Sequence, residues 1–222
     1  MIPLPSVFIT RLLPEPVMAE LARRLTILGQ PQDRPATREE LLERVPLADA
    51  LAVTLADQVD AEVLARAPRL KVVAVYAVGY NNVDVAAATA RGVVVTNTPD
   101  VLTETTADLT WGLILAVTRR IPEGERLVRE GRWEGWAPTQ LLGTDVHGKT
   151  LWIIGLGRIG QAVARRAAGF GMPVLYSQRH PLSPEEEESL NVSRVPLPQL
   201  LQAADIVSIH VCLLYTSPSP RD

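Results

Sequence analysis

The fold is decided by residues 150–160, which read TLWIIGLGRIG. The apolar residues before the first glycine predict a strand that is buried on both faces of a sheet. Three glycines follow, Gly155, Gly157 and Gly160, and they open a stretch of helical spacing over residues 159–170. A G-x-G-x-x-G turn between a strand and a helix is the signature of a dinucleotide-binding βαβ unit.

Each glycine of this turn has a separate physical task. Gly155 permits the tight turn, Gly157 lets a pyrophosphate approach the backbone, and Gly160 lets the helix pack closely on the strand. The N-terminus of the helix that starts at Ile159 presents free N–H groups and a partial positive charge to the phosphates, so we also assign Arg158 and Ile159 to the coenzyme site. We predict that the turn binds NADPH or NADH. A glycine turn without a ligand is the alternative.

The end of the next strand indicates which coenzyme is preferred. A carboxylate about 20 residues past the first glycine would bind the ribose 2′-hydroxyl of NAD. Here the chain has Ser177, Gln178, Arg179 and His180, with no acid before Glu185. Arg179 can pair with a 2′-phosphate, and Ser177 and His180 can add donors. We predict that NADPH is preferred and NADH possible. Alternatively, Arg179 is a surface arginine over the adenine and NAD is still accepted.

Short apolar runs alternate with helical spacing in the first half of the chain, which predicts an open, mostly parallel α/β sheet with both faces buried. Strands are predicted at residues 7–10, 52–55, 72–75 and 93–96, and helices at 16–25, 38–44, 60–66 and 83–91. In the second half we predict helices at 125–130 and 197–203, strands at 173–176 and 205–210, and a solvated helix face at 185–188.

A long helix is predicted from Thr103 to Arg120, with Thr103 as its N-terminal cap. It is crowded with apolar residues, so we expect it to pack on more than one side. The dipeptide Ile121-Pro122 is expected to end it.

Composition excludes several function classes. The 222 residues are 47% apolar and 21% charged, which is typical of a soluble globular protein. A net charge of −3 does not favour a nucleic-acid partner. One cysteine, Cys212, indicates a reducing compartment, and no run is long enough for a membrane span. The N-terminus does not have the residue order of a signal peptide. We therefore expect a cytoplasmic protein, and we predict no metal site.

Five stretches carry a resemblance to a known family: residues 77–84, 93–106, 111–136, 155–160 and 204–211. In this order and spacing the chain resembles the D-isomer-specific 2-hydroxyacid dehydrogenases, and most of all their glyoxylate/hydroxypyruvate reductase branch. The resemblance implies an α/β protein of two doubly wound parallel-sheet units. These are a flavodoxin-like substrate domain over residues 1–98 and an incomplete Rossmann cofactor domain over 99–211, with the active site between them.

The resemblance also implies roles for residues outside the glycine turn. Val78 and Gly79 would offer backbone N–H groups to the substrate carboxylate, and Thr106 would line the nicotinamide. The long helix and the loop after it are similar to the family's dimerisation arm, so a homodimer is implied for the full-length parent, with Trp136 reaching a neighbouring active site. Each role has an alternative. Val78 and Gly79 could belong to a simple turn, Thr106 could be a hydroxyl at the start of a helix, and Trp136 could be a tryptophan packed at the interface.

Hydride transfer to a 2-oxo acid also needs a cation and a general acid. In the family these roles belong to an arginine, a glutamate and a histidine that the resemblance places beyond His210. His147, His180 and Arg194 do not match those motifs, so we assign no catalytic residue in this chain. We expect a C-terminally truncated fragment with a non-native tail over residues 212–222 and little or no turnover. The alternative for the tail is a divergent native loop.

The expected function of the parent is NADPH-preferring reduction of glyoxylate or hydroxypyruvate to the 2-hydroxy acid. Two alternatives stay open. One is another enzyme of the family, a phosphoglycerate or broad-specificity 2-ketoacid dehydrogenase. The other is a nucleotide-sensing binding module like the corepressors that resemble these dehydrogenases.

Overall fold

A computed structural model describes residues 3–199 and 204–211, and in it the chain divides into two units between Asp100 and Val101. The elements of the first unit are β1 (Ser6–Ile9), α1 (Glu15–Arg24), β2 (Thr26–Ile27), α2 (Arg38–Arg44), β3 (Ala50–Val53), α3 (Ala61–Ala65), β4 (Val72–Val75), α4 (Val85–Ala90) and β5 (Val94–Thr96). Those of the second are α5 (Thr103–Thr118), α6 (Ile121–Arg129), β6 (Leu151–Ile154), α7 (Arg158–Ala167), β7 (Val174–Ser177), α8 (Pro184–Leu190), β8 (Val192–Arg194) and β9 (Ile206–Ile209).

The first unit is built on a parallel sheet with the strand order β2-β1-β3-β4-β5. This is the flavodoxin-like order, and it confirms the predicted fold class. The strand order reverses between β1 and β3, so the carboxyl ends of these two strands flank the crevice where doubly wound sheets bind their ligands. The sequence pattern did not reveal β2, which is too short to show a periodicity.

One face of the first sheet carries most of its core. Helices α2, α3 and α4 contribute buried residues to this core, whereas α1 contributes none. The strands β3 and β4 therefore alternate between buried and more accessible side chains, and Val94 of β5 is 59% exposed. The predicted burial on both faces is right for β1 but wrong for β3, β4 and β5.

A buried carboxylate ties together the carboxyl ends of β1 and β3. Asp57 accepts hydrogen bonds from the Thr10 hydroxyl at 2.7 Å, and from the Thr54 amide and hydroxyl at 2.7 and 2.9 Å. The Asn82 side chain donates to the carbonyls of Thr54 and Asp57 at 2.9 and 2.7 Å. This network joins the strand ends to the loop that follows β4.

The second unit has a parallel sheet with the order β8-β7-β6-β9. In their own sequence these strands follow the 3-2-1-4 portion of the Rossmann order. The order reverses between β6 and β9, so this unit has its own ligand crevice at the carboxyl end of β6. The strand β8 was not predicted, because Val-Ser-Arg is not an apolar run. Helix α8 contains the acidic run that we interpreted as a solvated helix face.

The long helix differs from the prediction at both ends. Its N-cap is Leu102, without a side-chain hydrogen bond, so the assignment of Thr103 as the cap is wrong. It ends at Thr118, and Arg120 adopts a left-handed conformation before the next helix. Proline is favoured in a first helical turn, so Ile121-Pro122 begins α6 rather than only ending α5.

Helix α5 packs against α7 and against Phe170, through the face that carries Trp111. The Trp111 indole donates to the Val163 carbonyl at 3.1 Å, and its ring stacks on Phe170 with centroids 4.4 Å apart. Leu113 and Val117 on the other face are 58% and 75% exposed. The expectation of packing on more than one side is therefore wrong as far as the described residues show.

Two predicted segments fall wholly or partly outside the described residues. Residues 197–199 are helical, whereas the rest of the helix predicted over 197–203 and the predicted tail over 212–222 lie outside them. Among the described residues, no helix is both long and apolar enough to cross a membrane, and no cluster of side chains is suited to hold a metal ion.

Replacement of the buried carboxylate tests the first unit. We expect Asp57→Ala to lower the free energy of unfolding by about 3 kcal/mol, because it removes the acceptor of one buried and two half-buried donors. Urea denaturation followed by circular dichroism measures this. The matched control is Asp33→Ala, whose exposed carboxylate forms a surface pair with Arg11 and should matter by less than about 0.5 kcal/mol. Equal losses in the two variants would contradict the role given to the network.

Candidate functional site

The glycine turn lies at the carboxyl end of β6, at the reversal of the strand order. Gly155 has a φ of +89°, a left-handed conformation that favours glycine. A Cβ atom there would lie 2.7 Å from Val211 Cγ1 and 2.9 Å from the His210 carbonyl carbon. Backbone conformation and close packing against the residues after β9 both require a glycine here.

The other two glycines face opposite environments. A Cβ on Gly160 would lie 2.4 Å from the Gly155 carbonyl oxygen, so α7 can approach β6 this closely only without a side chain. Gly157 has an ordinary φ of −76°, and a Cβ on it would meet no atom within 4 Å. The fold itself therefore does not require glycine at 157, whereas close approach by a ligand would.

Helix α7 begins at this turn, directly after Gly157. Its N-cap is Gly157, which has no side chain to accept from the first-turn N–H groups, and no acidic residue lies in the first turn. Arg158 is exposed, and the Ile159 side chain packs against the core of the unit. The open space at Gly157 and a helix start without an acidic residue together fit a coenzyme pyrophosphate.

A second structural feature joins the glycine turn to residues 177–182, which we call the selector loop. The Gln178 side chain accepts from the Leu156 amide at 2.9 Å and donates to the His180 carbonyl at 2.6 Å. The sequence identified Gln178 only as a coenzyme contact. In the structure its amide also holds the turn and the loop in one arrangement, and Ser177 ends β7 just before it.

Tyr176 of β7 also anchors the selector loop, and its ring is fully buried. Its hydroxyl donates to Glu187 of α8 at 2.6 Å and accepts from the Leu182 amide at 3.0 Å. Burial raises the pKa of the Tyr176 hydroxyl, and the neighbouring carboxylate raises it further. Sequence reasoning missed this anchor, because a tyrosine in an apolar strand gives no sign of what its hydroxyl will meet.

Two side chains of the selector loop, Arg179 and His180, have no partner among the described residues. Arg179 and His180 are exposed, and within residues 3–199 and 204–211 their side chains form no hydrogen bond or ion pair. Their neighbours are thus fixed while their own donors are available to a ligand.

The loop that was predicted to hold the substrate carboxylate follows β4 in the first unit. The Val78 carbonyl accepts from the Asn97 side chain at 2.8 Å. Neither the Val78 nor the Gly79 amide donates a hydrogen bond to any described residue. Asn82, three positions further on, is held by the buried Asp57 network. The loop therefore has free amides on an anchored base.

Thr106 lies half-buried in the first turns of α5. Glu104 and Asp108 on either side of it pair with Arg165 and Arg166 in the last turn of α7. These ion pairs place this part of α5 beside the end of α7 that is opposite the glycine turn. The nicotinamide contact of Thr106 stays a prediction that depends on the resemblance.

The three histidines do not form an acid–base site among the described residues. His210 Nε2 lies 2.8 Å from the Ser208 hydroxyl, with no carboxylate partner, and burial lowers its pKa. His147 and His180 are exposed. None is oriented by a carboxylate, which is the arrangement that proton transfer to an alkoxide uses.

Comparison with known proteins agrees with this architecture. The family model of the D-isomer-specific 2-hydroxyacid dehydrogenase catalytic domain matches residues 7–216. A glyoxylate reductase of Thermococcus gammatolerans is 51% identical over 213 residues, covering 94% of this chain and 64% of the relative. One from Korarchaeum cryptofilum is 49% identical over 210 residues, covering 94% and 63%. The chain thus spans somewhat less than two thirds of the length of the curated relatives it matches.

Solved structures show the same fold. A protein from Thermus thermophilus superposes with a TM-score of 0.82 at 44% identity, covering 97% of this chain and 66% of that one. A D-lactate dehydrogenase from Aquifex aeolicus, solved with NAD and lactic acid, gives 0.79 at 25% identity, covering 93% and 60%. With its two parallel sheets, its glycine turn and these relatives, the chain belongs to the NAD(P)-binding D-isomer-specific 2-hydroxyacid dehydrogenase family.

Proposed function

We propose that this chain binds NADPH at the glycine turn and is part of a reductase that converts glyoxylate or hydroxypyruvate to the 2-hydroxy acid. The observation that carries the proposal is Gly157, a glycine that the fold does not need, facing open space at the start of α7. The glyoxylate reductases among the relatives support the choice of a small 2-oxo acid.

The coenzyme half of the reaction follows from the second unit. The bound coenzyme supplies a hydride to the keto carbon of the substrate. The N–H groups at Arg158 and Ile159 hold the pyrophosphate, and the glycines at 155 and 160 fix where those N–H groups point. Gln178 keeps the selector loop in register with this turn, so the adenosine end and the phosphates are bound by one rigid frame.

The preference for NADPH depends on the charge of the selector loop. A carboxylate in this position would repel a 2′-phosphate, whereas the neutral amide of Gln178 does not. Arg179 supplies a planar set of donors that suits a phosphate, and Ser177 and His180 can add to it. NADH remains a possible second coenzyme, because the pyrophosphate site is common to both.

The substrate carboxylate is assigned to the loop after β4. The amides of Val78 and Gly79 have no partner among the described residues, and neutral donors hold a carboxylate without adding a group that titrates. Thr106 is proposed to line the nicotinamide. The Asp57 network fixes the base of the loop after β4, while the Val78 and Gly79 amides of that loop remain available.

The exposed face of α5 supports a homodimer for the full-length parent. Leu109, Leu113 and Val117 form an apolar stripe that is 58% to 75% exposed, and Trp136 is 84% exposed. An apolar surface of this kind marks an interaction site.

A single cysteine is consistent with a reducing, cytoplasmic location.

Coenzyme preference gives the first test of this function. We expect the wild-type chain to bind NADPH at least about tenfold more tightly than NADH. We expect Arg179→Ala to remove most of that preference while leaving NADH affinity unchanged. Titration of coenzyme fluorescence measures both constants. Equal affinities in the wild type would contradict the assignment of the selector loop.

Turnover gives the second test. We expect the 222-residue chain to bind NADPH but to reduce glyoxylate negligibly, because no described histidine has the carboxylate partner that protonation of the alkoxide uses. The measurement is NADPH consumption, followed by its absorbance, with glyoxylate, hydroxypyruvate and other 2-oxo acids. A kcat in the ordinary enzyme range of about 1 to 1,000 per second would show that catalytic groups in this chain have been missed.

A further inference from the structure

The strands β7 and β8 bring a residue from outside the motif to the selector loop. They pair in parallel with Tyr176 opposite Arg194, and the Val195 amide donates to the Tyr176 carbonyl at 2.9 Å. The residues that follow the two strands therefore lie side by side at the carboxyl edge of the sheet. Sequence reasoning considered Arg194 only as a catalytic cation and rejected it.

The guanidinium of Arg194 lies against the peptide bond that precedes Arg179. Its Nη2 donates to the Gln178 carbonyl at 3.2 Å. This contact uses one of five N–H donors, so most of the donor set of Arg194 is left over. Arg194 is exposed and has no carboxylate partner among the described residues. Glu187, an acid on the neighbouring helix α8, already accepts from Tyr176.

Arg179 on the selector loop and Arg194, which bonds the loop's backbone, thus both have no acidic partner among the described residues. Three hydrogen bonds hold the loop in place beside this positive charge. Gln178 accepts from the Leu156 amide and donates to the His180 carbonyl, and the Tyr176 hydroxyl accepts from the Leu182 amide. Two cationic side chains associated with one anchored loop produce a positive local potential, which favours an anion nearby. A phosphate monoester carries nearly two negative charges and three acceptor oxygens at neutral pH.

We propose that Arg194 is a second 2′-phosphate-binding residue, which acts with Arg179 to recognise the phosphate monoester on the adenosine ribose of NADPH. This inference rests on the proposed binding of NADPH at the selector loop and adds a specificity-determining residue to it. Gln178 orients both cations, since its carbonyl holds one and its side chain fixes the loop that carries the other.

The role makes a prediction that separates a phosphate contact from a structural one. If Arg194 only braced the loop, or stacked on the adenine, its loss would weaken all adenosine ligands equally. If it binds the phosphate, its loss weakens only ligands that carry the 2′-phosphate. Adenosine 2′,5′-bisphosphate and 5′-AMP differ in just this group and need no catalysis to be measured.

Isothermal titration calorimetry of the full 222-residue chain with these two probes tests the inference. We expect Arg194→Gln to weaken the bisphosphate by about tenfold and 5′-AMP by less than about twofold. Arg194→Lys should restore part of the affinity, because the charge remains but the planar donor set is lost. The matched control is Arg119→Gln. Arg119 is also exposed and pairs with Asp145, which precedes the amino end of β6, so both affinities should stay unchanged.

The outcomes distinguish this inference from the function on which it rests. If the wild type binds both probes equally and Arg179→Ala changes neither, the proposed NADPH preference fails. If Arg179→Ala weakens the bisphosphate but Arg194→Gln leaves it unchanged, or weakens both probes alike, the preference stands and the role of Arg194 is overturned. Circular dichroism of each variant confirms that the exposed substitution has not unfolded the unit.

Discussion

The close approach of α7 to β6 is the constraint on which the coenzyme site depends. The Cα of Gly160 packs so tightly against the turn that a Cβ there would lie 2.4 Å from the Gly155 carbonyl oxygen. This contact fixes the position of the helix over the strand and therefore the direction of its N-terminal amides. The helix starts at the carboxyl end of β6, beside the reversal of strand order between β6 and β9, where a doubly wound sheet leaves room for a ligand.

Hydrogen bonds to neighbouring strands and loops hold both candidate binding loops in place. In the second unit, Gln178 and Tyr176 fix the selector loop without placing a carboxylate beside the predicted 2′-phosphate. In the first unit, the Asp57 network anchors the base of the loop after β4 and leaves the amides of Val78 and Gly79 free of partners among the described residues. These contacts preorganise each loop, which reduces the conformational entropy that is lost when a ligand binds.

The sequence predicted those features that local periodicity and local chemistry encode. The alternation of strands and helices and the glycine turn are determined by neighbouring residues, so both were recognised from the pattern. The strand β2 was missed because two residues show no periodicity, and β8 was missed because Val-Ser-Arg is not an apolar run, unlike the equally short β5. The cap of α5 was wrong because a hydroxyl at Thr103 matches the preference for a cap, whereas the backbone places Leu102 there.

The contacts that refine the site are not local, and the sequence did not predict them. Gln178 meets Leu156 only because β6 and β7 are adjacent in the sheet, and Arg194 reaches the Gln178 carbonyl only because β7 pairs with β8. A pattern within one segment contains no information on such pairings. The same limit explains why the one-sided packing of α5 became visible only when its neighbours were placed.

The most direct test of the coenzyme site compares two alanine substitutions in the glycine turn, Gly157→Ala and Gly160→Ala. Urea unfolding and NADPH titration are measured for both. Gly157→Ala should change the free energy of unfolding by no more than about 1 kcal/mol, because its Cβ meets no atom, yet weaken NADPH by about tenfold or more. Gly160→Ala should destabilise the unit by about 2 kcal/mol or more. Unchanged NADPH affinity in a folded Gly157→Ala variant would contradict the account.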